Sequence, residues 1–386
     1  MSAQLLAGAT RRDITPTWPA KLAGHEMRRG LAEGVATPLY LRVLALSDGE
    51  TSILIGVIDA LWWPPEASDD IRARVAAELG LEPHFVVLHA THTHSSCQLS
   101  TAFAPTLGEF DPQFLELAVT SLIQGGRQAL DELRPCTAHA GMTHTRIGTY
   151  RRSLRDGSIV MQPDISVPID DRLRVVQLRA GNEVIATVVH YACHPTTTSE
   201  MRISADFPGI LTSQLDESEG GTSLMLQGCA GDVRVATLNP EQDTFIPGDA
   251  DDVIGFGTQL AEATRDALQQ ATELTPSRLE AALSQVPVTL ASGTDKPLRI
   301  IRLRLAEQWL WIGMACEPVG RYQQVAPAAW ISGYTNGMIG YLTTAQQLRE
   351  GGYEPLASLP HFGLDSPFAE ETEALVVDAL TDLTSG

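Results

Sequence analysis

The stretch Leu88-His-Ala-Thr-His-Thr-His-Ser95 follows directly on the apolar run Phe85-Val-Val-Leu88. The β-prone run predicts a buried strand that ends in a polar tract carrying His92 and His94. Residues i and i+2 of a strand face the same side, so the two imidazoles are expected to converge on one point. Imidazole is the commonest transition-metal ligand and a general acid or base near neutral pH. The pair therefore predicts half of a metal site, and the rest of the chain must supply the other ligands.

Working outward, the same theme recurs: a buried strand that delivers a polar residue at its C-terminal end. Ser52 to Ile58 ends at Asp59, and Val188-Val-His-Tyr-Ala-Cys-His-Pro195 carries His194. Ser223 to Leu226 opens into Gln227-Gly-Cys-Ala-Gly-Asp-Val233 with Asp232, and Trp309 to Ala315 runs into Cys316-Glu-Pro318 with Glu317. Open α/β sheets bind ligands at strand carboxyl ends. Two or three His and a Glu at such ends match the N/O donor set of catalytic zinc. Singly, a strand-end Asp caps a turn as readily as it does chemistry.

Between these strands the chain alternates elements. Asp48-Gly49 separates two β-type runs and signals a hairpin. Ser68 to Leu79 reads as a helix capped by Ser68 and ended by Gly80. Helices are also expected over Pro112–Leu133, Asp206–Leu215, Val253–Ala271 and Ala369–Leu383. Gly148-Thr-Tyr-Arg-Arg-Ser153 reads as a loop, Thr343 as an N-cap, and the chain becomes mainly β from about Leu279. The expected fold class is α/β, with mixed β-sheets flanked by helices, and residues 1–386 are read as one catalytic domain with a β-rich C-terminal lobe.

Composition excludes several classes. A formal net charge of -20 repels nucleic-acid phosphates. No apolar run is long enough to span a bilayer, and the N-terminus lacks a secretory h-region, so a cytoplasmic location is expected. The five cysteines, Cys97, Cys136, Cys193, Cys229 and Cys316, form neither a disulfide framework nor a C-x-x-C. Cys193 and Cys316 adjoin proposed ligands, so a thiolate nucleophile competes with a packing role. No His-Glu-x-x-His helix occurs, and the only lysines, Lys21 and Lys296, do not fit the His-x-His-to-Lys order of many amidohydrolase barrels.

Ala90-Thr-His-Thr-His-Ser95, Ala192-Cys-His-Pro-Thr-Thr197, Gly231-Asp-Val233, Cys316-Glu-Pro318 and Gly340-Tyr-Leu-Thr-Thr344 occur in the order seen in the neutral/alkaline (non-lysosomal) ceramidases. The chain resembles the catalytic domain of that family from Asp13-Ile-Thr-Pro16 nearly to its end. The resemblance implies a zinc amidase with one Zn2+ per chain, held by His92, His194, Glu317 and the Tyr341 phenolate. It implies His94 as proton shuttle or donor to the substrate carbonyl, and Arg152 and Tyr353 as partners of the scissile amide. Arg234 stands where the family has a serine, and is expected to bind substrate by reading an anionic group. Against that family, the chain is expected to consist of the catalytic domain alone, without the immunoglobulin-like domain or the secretory signal.

The expected chemistry is hydrolysis of an amide, such as an N-acyl compound, by zinc-activated water. Asp59, Asp206 and Asp232 are expected to orient the ligand imidazoles. An esterase or lactonase on the same site, or a non-catalytic binding protein, are the alternatives. The expected partner is a small-molecule or lipid-like amide, and self-association into a homo-oligomer is left open.

Overall fold

The computed structural model describes residues 4–239, 241–306 and 308–385. Two mixed sheets lie face to face, and each is built by the same succession of elements. In the first, Tyr40–Ser47 and Ser52–Ile58 pair antiparallel through the Asp48-Gly49 turn. Gly49 takes φ 90, and the Asp48 carboxylate accepts from the Glu50 and Thr51 amides. The helix Ser68–Leu79 then returns the chain, and Val86–Ala90 adds parallel to Ser52–Ile58. In the second sheet, Arg172–Ala180 and Glu183–Tyr191 form the antiparallel pair, the helix Asp206–Ser218 crosses over, and Thr222–Gln227 adds parallel to Glu183–Tyr191. Parallel neighbours require such a crossover and end on the same side of their sheet. That side receives Asp59 with the histidine tract in one sheet, and His194 with Asp232 in the other.

Burial follows the period-2 alternation of strands. Val43 and Leu54 face Val75 of the helix Ser68–Leu79 and Phe114 and Leu122 of the helix Pro112–Asp131. Leu44, Leu46 and Ile55 face the other way, onto Val176, Leu224 and Leu226 of the second sheet. Beyond it, Val175 and Met225 meet Phe207, Leu211 and Leu260 on the helices Asp206–Ser218 and Ala250–Gln269. The layers therefore run helix, sheet, sheet, helix. A third sheet, Pro276–Val286, Leu298–Ala306, Trp309–Met314 and Trp330–Ser332, closes the C-terminal side. Its third strand leads into Glu317–Pro318, which pairs parallel with Tyr341–Leu342 and puts Glu317 in register with Tyr341.

Three local expectations change. Gly148–Arg155 is a strand, paired with Ser158–Asp164 and Val233–Val235, not a loop. Ser68 donates to the Pro64 carbonyl at 2.7 Å and does not cap its helix. Thr344, one residue beyond Thr343, is the N-cap of Ala345–Glu350 and forms a capping box with Gln347.

Candidate metal centre

The strand Val86–Ala90 stops before His92, which adopts φ 69. The imidazoles of His92 and His94 thus do not converge by strand alternation, as the sequence suggested. A left-handed turn at His92 does that work. Such a conformation costs on the order of 1–3 kcal/mol and persists only where the surroundings over-determine it. Here the chain stays tied to the end of the neighbouring strand: Thr91 donates to the Ile58 carbonyl and His92 to that of Ala60, both at 2.9 Å. The His92 ring also stacks on Tyr334 at 4.1 Å between centroids.

Each of the three imidazoles has its Nδ1 fixed by a main-chain carbonyl: His92 by Leu61 at 2.9 Å, His94 by Gly24 at 2.9 Å, His194 by Ala230 at 2.6 Å. A carbonyl only accepts, so Nδ1 carries the proton and Nε2 presents its lone pair. This is the arrangement that orients metal-ligating histidines. The Nε2 atoms of His92, His94 and His194 all lie within 4.8 Å of one another.

Distances separate the three. His92 Nε2 lies 3.2 Å from His194 Nε2, and Glu317 Oε2 lies 3.5 Å from the first and 3.3 Å from the second. A tetrahedral ion with bonds of about 2.0–2.1 Å has ligand-to-ligand edges of about 3.3 Å. His92, His194 and Glu317 thus have the dimensions of three corners of such a site. His94 Nε2 makes one comparable approach, 3.2 Å to His92. Glu317 Oε2 is buried and has no hydrogen-bond partner among the described residues. Burial, with Arg151 next in effect, pushes His194 down to about 4; burial and the neighbouring imidazoles hold His94 well below its ordinary value. Neutral imidazoles and an ionised carboxylate are the forms that ligate a divalent cation. The residues fit a metal ion.

Tyr341 stands beside Glu317, and its hydroxyl accepts from Arg151 Nη2 at 3.0 Å. Burial, reinforced by Glu317, pushes this phenol well above its ordinary pKa. Only an adjacent cation would favour the phenolate. The arginine expectation needs correcting. Arg152 points away from the histidines, donating to Glu354 Oε2 at 2.6 Å, Glu350 at 3.2 Å and the Gly351 carbonyl at 2.9 Å. Arg151 faces the site: its Nε donates to Glu354 Oε1 at 2.9 Å, and its guanidinium lies 5.6 Å from the centroids of both Tyr341 and Tyr353. Neighbouring strand residues face opposite sides, and an irregularity between Tyr150 and Arg152 lets both arginines reach one carboxylate. Tyr353, half-buried, sits 5.8 Å ring to ring from Tyr341.

The three aspartates do not hold imidazoles. Asp59 accepts from the Tyr40 amide and Thr91 Oγ1, Asp206 from Thr197 and the Phe207 amide, and Asp232 from the Gly320 amide and Gln347 Nε2. Main-chain carbonyls of loop residues already satisfy the Nδ1 atoms of His92, His94 and His194, which leaves the aspartates to fix the loops that carry the ligands. Arg234 lies on Val233–Val235 beside His194, over the Phe245 ring at 4.8 Å. No cysteine belongs to the cluster among the described residues, and burial pushes the Cys193 and Cys316 thiols well up.

A cavity of about 270 Å³ lined by Lys21, His25, Arg28 and Glu109 adjoins the cluster, since the His25 and His94 rings are 5.4 Å apart. A larger one of about 770 Å³ includes none of the site residues, and its charged pair, Arg134 and Glu183, is already joined at 2.6 Å. Sequence reasoning marked the Gly-containing loop 21–29 as one that could lie near a site or be a surface turn, and Gly24 and His25 of that loop do adjoin His94; it missed Arg151, Tyr334 and Glu354. Arg151 and Glu354 stand next to residues it chose, so the signal was there; for Tyr334 there was none.

No protein-family model matches the chain, and no curated protein does. Solved structures do. A neutral ceramidase from Pseudomonas aeruginosa superposes with a TM-score of 0.79 at 16% identity, over 100% of this chain and 74% of that one. A ceramidase complexed with C2 gives 0.80 at 16% identity, over 99% and 75%. The chain has a ceramidase-like fold. The layered sheets are the part of the molecule that this likeness describes.

Proposed function

We propose that the protein is a zinc-dependent hydrolase that cleaves the amide bond of an N-acyl compound, with one ion per chain held by His92, His194 and Glu317, and Tyr341 next in line as a ligand. The observation that carries the reading is the tripod itself: two Nε2 lone pairs and an orphaned carboxylate oxygen at tetrahedral spacing, each imidazole locked from behind by a carbonyl. The ceramidase-like fold supports amide chemistry. The segments that meet here run from residue 24 to residue 354, so we read the chain as one catalytic unit.

A divalent cation at this position supplies Lewis acidity and lowers the pKa of a water it binds to about 7. The other contributions belong to the chain. His94, neutral and fixed at Nδ1 by Gly24, presents Nε2 as the base that takes a proton and returns it to the departing amine, which needs one because an amide anion is a poor leaving group. Arg151, held by Glu354, fixes the Tyr341 hydroxyl and places positive charge where an oxyanion develops. Tyr353, whose phenol burial raises to about 12, stays protonated and able to donate. Arg152 holds Glu354 in place and so acts on the site at one remove.

The test is a panel of N-acyl amines, N-acyl amino acids and simple esters, assayed on protein treated with chelator and then restored with zinc. Amide turnover that disappears and returns with the metal is the expected result. Inert amides beside rapidly hydrolysed esters would overturn the amidase assignment.

A further inference from the structure

The wall beside His194 carries a cation without a counter-ion. The Arg234 guanidinium makes no hydrogen bond or ion pair among the described residues, and its Nε is buried without a partner. Its one partner is the face of Phe245, at 4.8 Å. A guanidinium whose described partner is an aromatic ring keeps its N–H fork free, and that fork matches a carboxylate. Nearby carboxylates do not fill the role. Glu354 is committed to Arg151 and Arg152, and Asp206 to Thr197 and Phe207.

Strand register sets Arg234 beside the cluster. Arg234 pairs with Thr149 across the sheet, and cross-strand partners share a face. Arg151, which reaches the Tyr341 hydroxyl, is near enough to bear electrostatically on Arg234. The same neighbourhood holds other buried polar atoms without partners: Thr149 Oγ1, Thr196 Oγ1 and His25 Nε2. Buried polar groups are ordinarily satisfied, so a group of orphans around one charge asks for an explanation. Arg28 adds a second cation. It donates to the His94 and Thr198 carbonyls and to Ser95 Oγ, with no carboxylate within ion-pair distance among the described residues. Both guanidinium groups bear on His25, which lies between them, His94 and the cavity of about 270 Å³. In a chain of net charge -20, two arginines without a carboxylate in ion-pair contact among the described residues, of which only Arg28 feels a nearby carboxylate (Asp206), set local positive charge beside one cluster.

We infer that Arg234, with Arg28, His25 and the Thr149 and Thr196 hydroxyls, forms a carboxylate subsite, and that the substrate is an N-acyl amino acid whose carboxylate sits on the amine half of the amide. The side is set by His94: it adjoins His25, and in the proposed function it serves the departing amine. The inference rests on that reading for the reaction, but the subsite itself does not. Phe245 positions Arg234 and touches no reacting atom.

The experiment pairs an N-acyl amino acid with the uncharged N-acyl alkylamine of the same shape. Each is measured by calorimetric binding to the metal-free protein and by hydrolysis with zinc restored. The carboxylate compound is expected to bind and react about tenfold to a hundredfold better, the range of a charge-assisted bidentate contact. Arg234→Ala should raise its Kd and KM by that factor and so close most of the gap between the two compounds, with Arg234→Lys in between. Phe245→Leu, which leaves the charge in place, should give a smaller loss and covers the case in which Arg234→Ala fails to fold. Equal handling of the charged and neutral compounds by the parent protein would overturn the subsite and leave the amidase reading standing. Selective, Arg234-dependent binding without hydrolysis of either amide would sustain the subsite and overturn the amidase reading. An N-acyl alkylamine carrying its carboxylate on the acyl half, if preferred, would overturn the placement on the amine side.

Discussion

Replacing Glu354 by Ala tests the electrostatic frame behind the site. Its carboxylate is 1% exposed and takes one arginine on each oxygen, Arg151 at 2.9 Å and Arg152 at 2.6 Å. Arg152 would keep Glu350 and the Gly351 carbonyl. Arg151 would keep the Tyr341 hydroxyl but no carboxylate. Breaking a buried pair from one side strands the remaining charge and costs about 3–5 kcal/mol. Glu354→Gln keeps the volume and one acceptor but turns an amide NH₂ toward the other guanidinium, for a loss of about 1.5–3 kcal/mol. Urea unfolding of the zinc-loaded protein at neutral pH measures both. Both variants should also lose turnover, because Arg151 is no longer held against Tyr341. A change below about 1 kcal/mol for Glu354→Ala would refute the claim that a buried triad organises this wall.

Acid should destabilise the fold through His89 and His190, which burial chiefly holds down to about 3 and which accept from the Gln227 amide and from Arg174. Their folded pKa lies below the unfolded value, so the stability they confer is present above about pH 6.5 and is lost as pH falls toward 3. Each adds a slope of about 1.4 kcal/mol per pH unit within that window. Asp59, raised by burial to about 6, acts in the opposite sense between about pH 6 and 4 and offsets one of them. His89→Gln should remove one such slope from urea titrations between pH 6 and 4; an unchanged slope would contradict this. Gly24→Ala would place a methyl group 2.7 Å from His94 Cα, Cβ and Cγ, at a φ of +97 that a side chain resists. Turnover should fall at least about tenfold while zinc content, set by His92, His194 and Glu317, is retained; loss of zinc would make His94 a ligand. Native protein should resist thiol labelling at pH 8, since burial raises even half-buried Cys136 to about 12. Rapid labelling of Cys193 or Cys316 that abolished activity would revive the nucleophile alternative.

Much of the fold was readable because burial wrote it into periodicity. The hairpin at Asp48-Gly49, the helix Ser68–Leu79 and the strand Trp309–Met314 stand where alternation, glycine and apolar runs placed them. The paired sheets were not readable, because two faces of one strand bury equally well against a helix or another sheet. At the site, His92, His194 and Glu317 were found by their strand ends and by the family motifs they sit in. The orientation of the His92, His94 and His194 rings was not, since it depends on the carbonyls of Leu61, Gly24 and Ala230, which no side-chain pattern records. Arg151 and Arg152 show the limit most clearly. Adjacent arginines look interchangeable in a sequence, and a strand turns one toward the metal site and the other away.

The most direct test of the whole account is metal stoichiometry. Protein freed of metal, equilibrated with zinc and dialysed should hold about one zinc per chain by inductively coupled plasma mass spectrometry. His194→Ala, prepared alongside and folded by circular dichroism, should hold almost none. A parent protein well under one zinc per chain, or full occupancy in the variant, would contradict the tripod of His92, His194 and Glu317.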